Sequence, residues 1–337
     1  MMEIVRPGIQ ATVQDLGRSG FRKYGVGLSG AMDPFSLEIA NHLLGNEPNA
    51  AAIECTLGGI EIRFHADTAI ALGGADASAT LDDAPLPAWW ASPVRAGQLL
   101  RTGMLAHGMR FYIAVRNGVD VREMMRSRST DLKGRFGGQD GRLLRQDDRL
   151  PAPALQRGDG LRRGFGLSPR AIGALDDYRR KGTVIRFLPA AEWGDLDERS
   201  LDLFLATGWT VDPESNRMGY RLSGPALKLV RRVEMLSHGI LPGTIQLPPS
   251  GLPIIQLNDA NTCGGYPKLG VVIAADMHRL GQTRLRGTIR FVPVTREEAI
   301  DALRAHKALL QGIARICRDK RAGDMPAQDA SPHRQET

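Results

Sequence analysis

The residue types able to do chemistry gather in a series of turn-rich polar clusters along the chain. The densest runs from Asp259 through Asn261-Thr262-Cys263 to Gly264-Gly265-Tyr266-Pro267-Lys268. Two adjacent glycines let backbone N–H groups approach a ligand with no Cβ in the way. Lys268 can then neutralise an oxyanion or carboxylate, while Asp259 acts as base or orients the lysine. Tyr266 is counted with these two in the candidate catalytic set. The same Gly-Gly-Tyr-Pro is also a good turn between two strands. Candidate substrate-binding residues are Gly264, Gly265, Asn216, Arg217, Gln14 and Asp15. Arg217 offers a planar fork for a carboxylate; Asn216 and Asp15 also have plain roles in turns. Asp33 reads as a helix N-cap rather than a catalyst.

The general signatures of nucleotide and acyl-transfer chemistry are missing. There is no GxxxxGK[ST] loop, no GxGxxG followed by an acid, and no GxSxG elbow. Any ATP chemistry therefore needs another site or another chain. The three cysteines, Cys55, Cys263 and Cys317, are far apart and odd in number, which fits a reducing compartment rather than a disulfide framework. The histidines show no metal-ligand spacing, so no metal is expected. The net charge of +7 invites a nucleic-acid reading, but residues 157–186 alone hold eight Lys/Arg against three Asp. That stretch lacks the interleaved aromatics that stack bases, and reads as a solvated connector. No apolar run is long enough to cross a bilayer, and Met1–Pro7 lacks the apolar stretch of a signal peptide. A cytoplasmic protein is expected.

The elements that must hold these clusters are mostly short strands. A chain of 337 residues suggests two domains, and 39 Gly, 20 Pro and 5% aromatics favour tight turns over long helices. Strand runs include Gly59–Phe64, Thr68–Leu72 and Met109–Val115, then Thr183–Pro189, Thr244–Leu247, Pro253–Leu257, Gly270–Ala274 and Thr288–Val294. The later set suggests a closed or nearly closed β-structure. One helix opens at Asp33-Pro34 and closes at Gly45. A second spans Leu196–Leu205, opened by Asp195 or Asp197. A last helix starts with the capping box Thr295-x-x-Glu298 and places Ala299, Ile300, Leu303 and Leu310 on one face. The fold class is α+β, β-rich, with a domain over 1–152, an Arg/Gly/Pro-rich connector over 153–182, a second domain over 183–320 and a disordered tail over 321–337.

Read in order, the clusters Thr12–Arg18, Ser29–Asp33, Glu54–Gly59, Arg128–Asp131, Ser215–Arg221, Leu241–Gln246 and Asp259–Lys268 resemble one family over residues 2–300. This is the biotin-dependent carboxyltransferase-like family, which includes the C subunit of 5-oxoprolinase, KipA and allophanate hydrolase subunit 2. Two departures stand out. Asn261-Thr262-Cys263 replaces the family's Gln-Thr-Thr, and Arg126 stands where a glycine commonly precedes the Ser-Arg-Ser-Thr-Asp run. The resemblance implies a cyclophilin-like β-barrel in the second domain. It also implies a C-type subunit of a 5-oxoprolinase complex, working with the complex's A and KipI-like B subunits. Together these would open 5-oxo-L-proline to L-glutamate in an ATP-dependent reaction. The ATP would be used by the complex, with no cofactor on this chain. A second implied activity is biotin-dependent carboxyl transfer to a urea-like amide. Carboxybiotin would then arrive on another chain, because no Lys follows a Met here. A third is a non-catalytic, KipA-like regulator of a KipI-like partner.

Overall fold

A computed structural model describes residues 1–153, 155, 161–170, 172–173, 182–231 and 235–324. The first half is a sandwich of two six-stranded antiparallel sheets. In one, Met2–Pro7 lies between Arg149–Leu150 and Ile60–Phe64, followed by Leu99–Arg101, Ala79–Leu81 and Ala84–Leu86. In the other the order is Phe165–Gly166, Trp90–Val94, Thr68–Gly74, Arg110–Val115, Ala52–Thr56 and Gln10–Gln14. Strand alternation explains how they pack. Ile4, Ile60, Ile62 and Leu100 from the first sheet meet Val13, Ile53, Ile70, Leu72, Phe111 and Ile113 from the second in one core.

The second sheet is buried on its far side as well, under the helix Pro34–Leu44. Ala52, Ala69, Ala71 and Ala114 face that helix, and small side chains let its axis come close. Gly73 is the tightest point, because a Cβ there would overlap the Ser36 carbonyl. The helix begins as the sequence implies. Asp33 Oδ1 accepts a hydrogen bond from Ser36 N at 3.0 Å, Pro34 takes the first turn, and Gly45 closes the helix in a left-handed conformation.

The second half is a closed seven-stranded barrel. Its order is Gly182–Pro189, Lys268–Val272, Thr244–Gln246, Ile254–Gln256, Gly219–Ser223, Trp209–Val211 and Thr288–Pro293, with the first and last strands parallel. A closed barrel thus stands where one was expected, and it removes the edge strands an open sheet would expose. Phe187, Phe204, Trp209 and Phe291 fill it, with Phe204 and Phe291 stacked at 4.6 Å between centroids. The helix plugging this core is Glu198–Ala206, capped by Asp197. The strand expected at Gly270–Ala274 is shifted and starts at Lys268.

Two expectations need adjusting. The connector is not simply a solvated linker. Phe165–Gly166 pairs with Trp90–Ala91 on the sheet edge, and Leu161, Phe165, Leu167 and Ile172 pack on the helix core. Residues 154, 156–160, 171 and 174–181 of that stretch lie outside the described residues. The last helix, Arg296–Asp324, runs past the expected end at 321, while residues 325–337 lie outside the described residues. Although it follows the barrel in sequence, it packs Leu310, Ile313 and Cys317 against the first half's helix. Trp89 is a core residue, with Trp90 packed against the other side of the same sheet.

Arg126 has φ = 59°, in the left-handed region that a side chain with a Cβ disfavours. This accounts for the glycine the family commonly carries at that position. Arg126→Gly should raise thermal stability by up to about 1 kcal/mol, since relief of strain exceeds the entropy a glycine adds to the unfolded chain. A calorimetric melt showing clear destabilisation would mean that the arginine makes a contact outweighing the strain.

Candidate active site

The predicted site residues fall into three separate places. Gln14 and Asp15 end the strand Gln10–Gln14 and are both buried. Gln14 Nε2 donates to Thr12 Oγ1 and to the Thr130 carbonyl, at 3.0 and 3.2 Å. Asp15 accepts from Ser127 Oγ at 2.7 Å, Gly17 N at 2.8 Å, Arg128 N at 2.6 Å and the Ser129 hydroxyl. Three of these bonds fall on Oδ1 and one on Oδ2, so the carboxylate serves chiefly to staple the 127–130 loop to the sheet. Arg128 pairs with Asp120 and Glu123 rather than with Asp131.

Arg217 and Asp259 form the second group, and it is an ion network at the seam between the halves. Arg217 Nε and Nη2 hold Asp259 as a fork, at 2.8 and 3.1 Å. Nη1 binds Glu54 Oε1, and Nη2 also donates to the Gly30 carbonyl at 2.7 Å. Glu54 Oε2 in turn accepts from Met32 N at 2.8 Å and from the Tyr112 hydroxyl at 2.7 Å. Burial opposes the arginine's charge, but the carboxylates of Asp259 and Glu54 outweigh it and raise its pKa. Burial pushes the Asp259 carboxyl above its ordinary value, against the pull of Arg217. Asp259 is therefore committed to Arg217, and among the described residues it has no hydrogen bond or ion pair with Lys268. The fork that could have gripped a substrate carboxylate grips a protein one. Asn216 beside it is exposed and accepts from Met218 N at 2.8 Å, a turn role.

Lys268 stands apart, on the outer wall of the barrel. It is only 8% exposed. Its ammonium lies 3.1 Å from the Tyr266 carbonyl and 3.4 Å from His238 Nδ1, and its backbone N–H donates to Glu192 Oε2 at 3.1 Å. Desolvation lowers its pKa from the ordinary lysine value, against the pull of Glu192. Tyr266 thus serves the lysine through its carbonyl while its side chain is 46% exposed. Gly264 pairs with His238, and Cys263 with Gly239, in a two-stranded ribbon laid over this wall. A Cβ on Gly264 would stand 2.7 Å from Gln246 Nε2, so this glycine's close approach is to a protein amide. Gly265 lies near the Met235 carbonyl and Ser237. His238, Glu192 and Gln246 are the neighbours that sequence order hid. Of these, only Gln246 falls within one of the polar clusters of the sequence.

A cleft of about 640 Å³ lies where the two halves and the last helix meet, and Lys268, Gln246, His238 and Gly264 are not among its lining residues. Leu16, Leu28 and Met32 line one side, Leu241, Pro242 and Met277 another, and Ala299, Ile300 and Leu303 a third. The apolar stripe at the start of the last helix thus faces this opening.

The profile of a family described as the carboxyltransferase domain, subdomains A and B, matches residues 24–293. The chain belongs to this carboxyltransferase-domain family. Its sequence is 43% identical to the C subunit of 5-oxoprolinase from Escherichia coli, over 93% of this chain and 98% of that protein. The corresponding protein of Haemophilus influenzae is 41% identical, over 95% of this chain and 100% of its own length. Among solved structures, the K. lactis urea amidolyase superposes with a TM-score of 0.83 at 29% identity. That match covers 93% of this chain but only 20% of the amidolyase. The sandwich and barrel thus form a carboxyltransferase unit that also occurs inside much longer proteins.

Removing Arg217 should be a folding defect before it is a catalytic one. Arg217→Met takes the counter-ion from buried Asp259 and the nearest one from buried Glu54, and should cost about 3–5 kcal/mol. Urea unfolding of the single chain measures this. A loss under about 1 kcal/mol would return Arg217 to the substrate ligands.

Proposed function

We propose that this chain is the C subunit of a 5-oxoprolinase complex. With the A and KipI-like B subunits it opens 5-oxo-L-proline to L-glutamate in the cytoplasm, at the expense of ATP. The observation carrying this reading is the 43% and 41% identity to two proteins named as the C subunit of 5-oxoprolinase, across 98% and 100% of their lengths. Carboxyl transfer from carboxybiotin to a urea-like amide is the second reading, supported by the K. lactis superposition. It ranks lower because the chain spans only 18% of the Lachancea kluyveri urea amidolyase, at 32% identity. The missing P-loop assigns ATP to the partners, so this chain is read as binding no cofactor. Among the described residues no helix is long and apolar enough to cross a membrane.

Opening the lactam breaks its C–N bond, and charge develops on the carbonyl oxygen as water adds. Lys268 is the group we assign to that oxygen. A partly desolvated ammonium acts there more strongly than one in water, because the surrounding dielectric is lower. Asp259 is withdrawn from the proton-handling role, since Arg217 saturates it. His238, 3.4 Å from the amine, is the nearer titratable group.

Two measurements test this. The purified chain alone should hydrolyse neither ATP nor 5-oxoproline, and both activities should appear when the two partner subunits are added. Turnover by the single chain would overturn the assignment of ATP to the partners.

In the complex, Lys268→Met should lower kcat about 10²–10³-fold, the usual loss for one oxyanion donor. The methionine keeps the packed stem, so the melting temperature separates a lost charge from a lost fold. The pH profile adds a sign. The ammonium is the working form, so activity falls as pH rises through its pKa. Burial places that limb below the ordinary lysine value. Lys268→Arg should move the limb out of range while recovering part of the rate, because a guanidinium stays charged but presents a broader head. A kcat within twofold of wild type in Lys268→Met would remove the lysine from the reaction.

A further inference from the structure

Gln246 lies directly opposite Lys268 across the antiparallel pair of strands Thr244–Gln246 and Lys268–Val272. A bulge between Ile245 and Gln246 shifts the register at this point. Bulges of this kind re-aim side chains. Ile245 and its neighbour Ile255 point into the barrel core, so Gln246, by alternation, points outward. Cross-strand partners have Cβ atoms about 4.5–5.5 Å apart, which brings the carboxamide alongside the lysine's stem.

The carboxamide's orientation is held from one side. Gln256 Nε2 donates to Gln246 Oε1 at 2.8 Å, which turns Gln246 Nε2 away, towards Gly264 of the ribbon. That Nε2 is buried and has no hydrogen-bond partner, although the residue as a whole is only 4% exposed. A buried, unpartnered donor is a liability to folding that a core of aliphatic residues would avoid. Here it sits beside a lysine whose own amine, among the described residues, reaches only a carbonyl and an imidazole. Above both lies a cover made of two residue pairs, His238 with Gly264 and Gly239 with Cys263.

We propose that Gln246 Nε2 and Lys268 Nζ form a two-donor site for a carbonyl or carboxylate oxygen of the substrate, beneath the 238–239/263–264 ribbon. The ribbon lifts to admit the ligand, and closing it shuts water out. Gly264 lacks a Cβ because the ribbon has to lie flat on the amide when closed. The proposal deepens the function proposed for this chain and rests on it for the identity of the substrate, 5-oxoproline.

The test uses the complex of all three subunits, with turnover and binding of 5-oxoproline measured separately. Gln246→Met keeps the side chain's length and removes the donor. It should lower kcat about 10²-fold or more and weaken 5-oxoproline binding at least tenfold. The melting temperature should fall by no more than a few °C, because the unpartnered donor goes together with one hydrogen bond, that from Gln256 Nε2 to Gln246 Oε1. Gln246→Glu replaces the donor by an acceptor and should lose at least as much activity. Kinetics and binding within twofold of wild type for Gln246→Met overturn the proposal. So does an activity loss that merely tracks a lowered melting temperature, and so does near-normal turnover in Gln246→Glu. If the wild-type complex binds 5-oxoproline without opening it, the assigned reaction falls, while weakened binding in Gln246→Met still supports the donor pair. A wild-type complex that neither binds nor opens 5-oxoproline sinks both.

Discussion

Arg217 brings a fixed positive charge into a place without water, and the two halves of the molecule are arranged around satisfying it. Its partners come from both sides: Asp259 from the barrel half, Glu54 and the Gly30 carbonyl from the sandwich half. Neither half alone completes the set. Shifting one half against the other breaks the Arg217 bonds to Glu54 and the Gly30 carbonyl while the Asp259 fork, internal to the barrel half, stays intact, and a buried charge that loses its partner in this way is strongly unfavourable. Further hydrogen bonds across the seam extend the same logic. Gln282, on the barrel side, accepts from Met109 N and Arg110 N at 3.0 and 3.1 Å and donates to Asp33 Oδ2 at 2.6 Å. Arg110 reaches the Tyr220 hydroxyl at 3.3 Å, and that hydroxyl donates to the Thr283 carbonyl at 3.0 Å. The seam is therefore polar but closed. Such an interface fixes one relative orientation, because polar partners tolerate sliding less well than an apolar contact does.

That fixed orientation matters for the candidate site, because the ribbon and the cleft beside it are anchored from the sandwich half. The Arg22 guanidinium binds the Ile240 carbonyl next to the ribbon, and Lys133 binds Asn261 Oδ1. Ser29 N donates to the Asn258 carbonyl at 3.0 Å. The last helix then crosses back over the sandwich helix, so the chain's end reinforces the seam that its middle created. The order of events is thus one of dependence. Small residues let a helix settle on the second sheet, and its cap residue Asp33 reaches Gln282. The ribbon pairs within the barrel half, and the seam adds the Arg22 and Lys133 contacts that hold its flanks from the sandwich side.

Local chemistry was legible in the sequence, and long-range partnership was not. The caps at Asp33, Asp197 and Thr295–Glu298 can each be read within three or four residues, and all three formed. The strands of the barrel were readable from alternation and turn residues, with small shifts at their ends. Adjacency misled where Asp259 was set beside Lys268. Asp259 is nine residues from Lys268 in sequence, yet its partner is Arg217, forty-two residues away, and Glu54 completes the set from the other half. A carboxylate in a glycine-rich run looks the same on paper whether it handles a substrate proton or neutralises an arginine. Arg217 had the geometry expected of a carboxylate ligand; the carboxylate simply proved to be internal. Glu54 gave one clue, an acid in an otherwise apolar strand buried on both faces, and such an acid needs a cation.

With Arg217 and Asp259 bound to each other, the chemistry open to this chain narrows to groups that remain uncommitted. Lys268 is one, since among the described residues its amine has only a carbonyl and an imidazole within reach. His238 Nδ1 lies 3.1 Å from the Leu236 carbonyl and 3.4 Å from the Lys268 amine. The ammonium donates to the Tyr266 carbonyl at 3.1 Å, so it stays charged without taking His238 away from Leu236. Burial disfavours that charge. An anionic oxygen arriving beside the amine favours it, so the lysine and an anionic ligand stabilise one another.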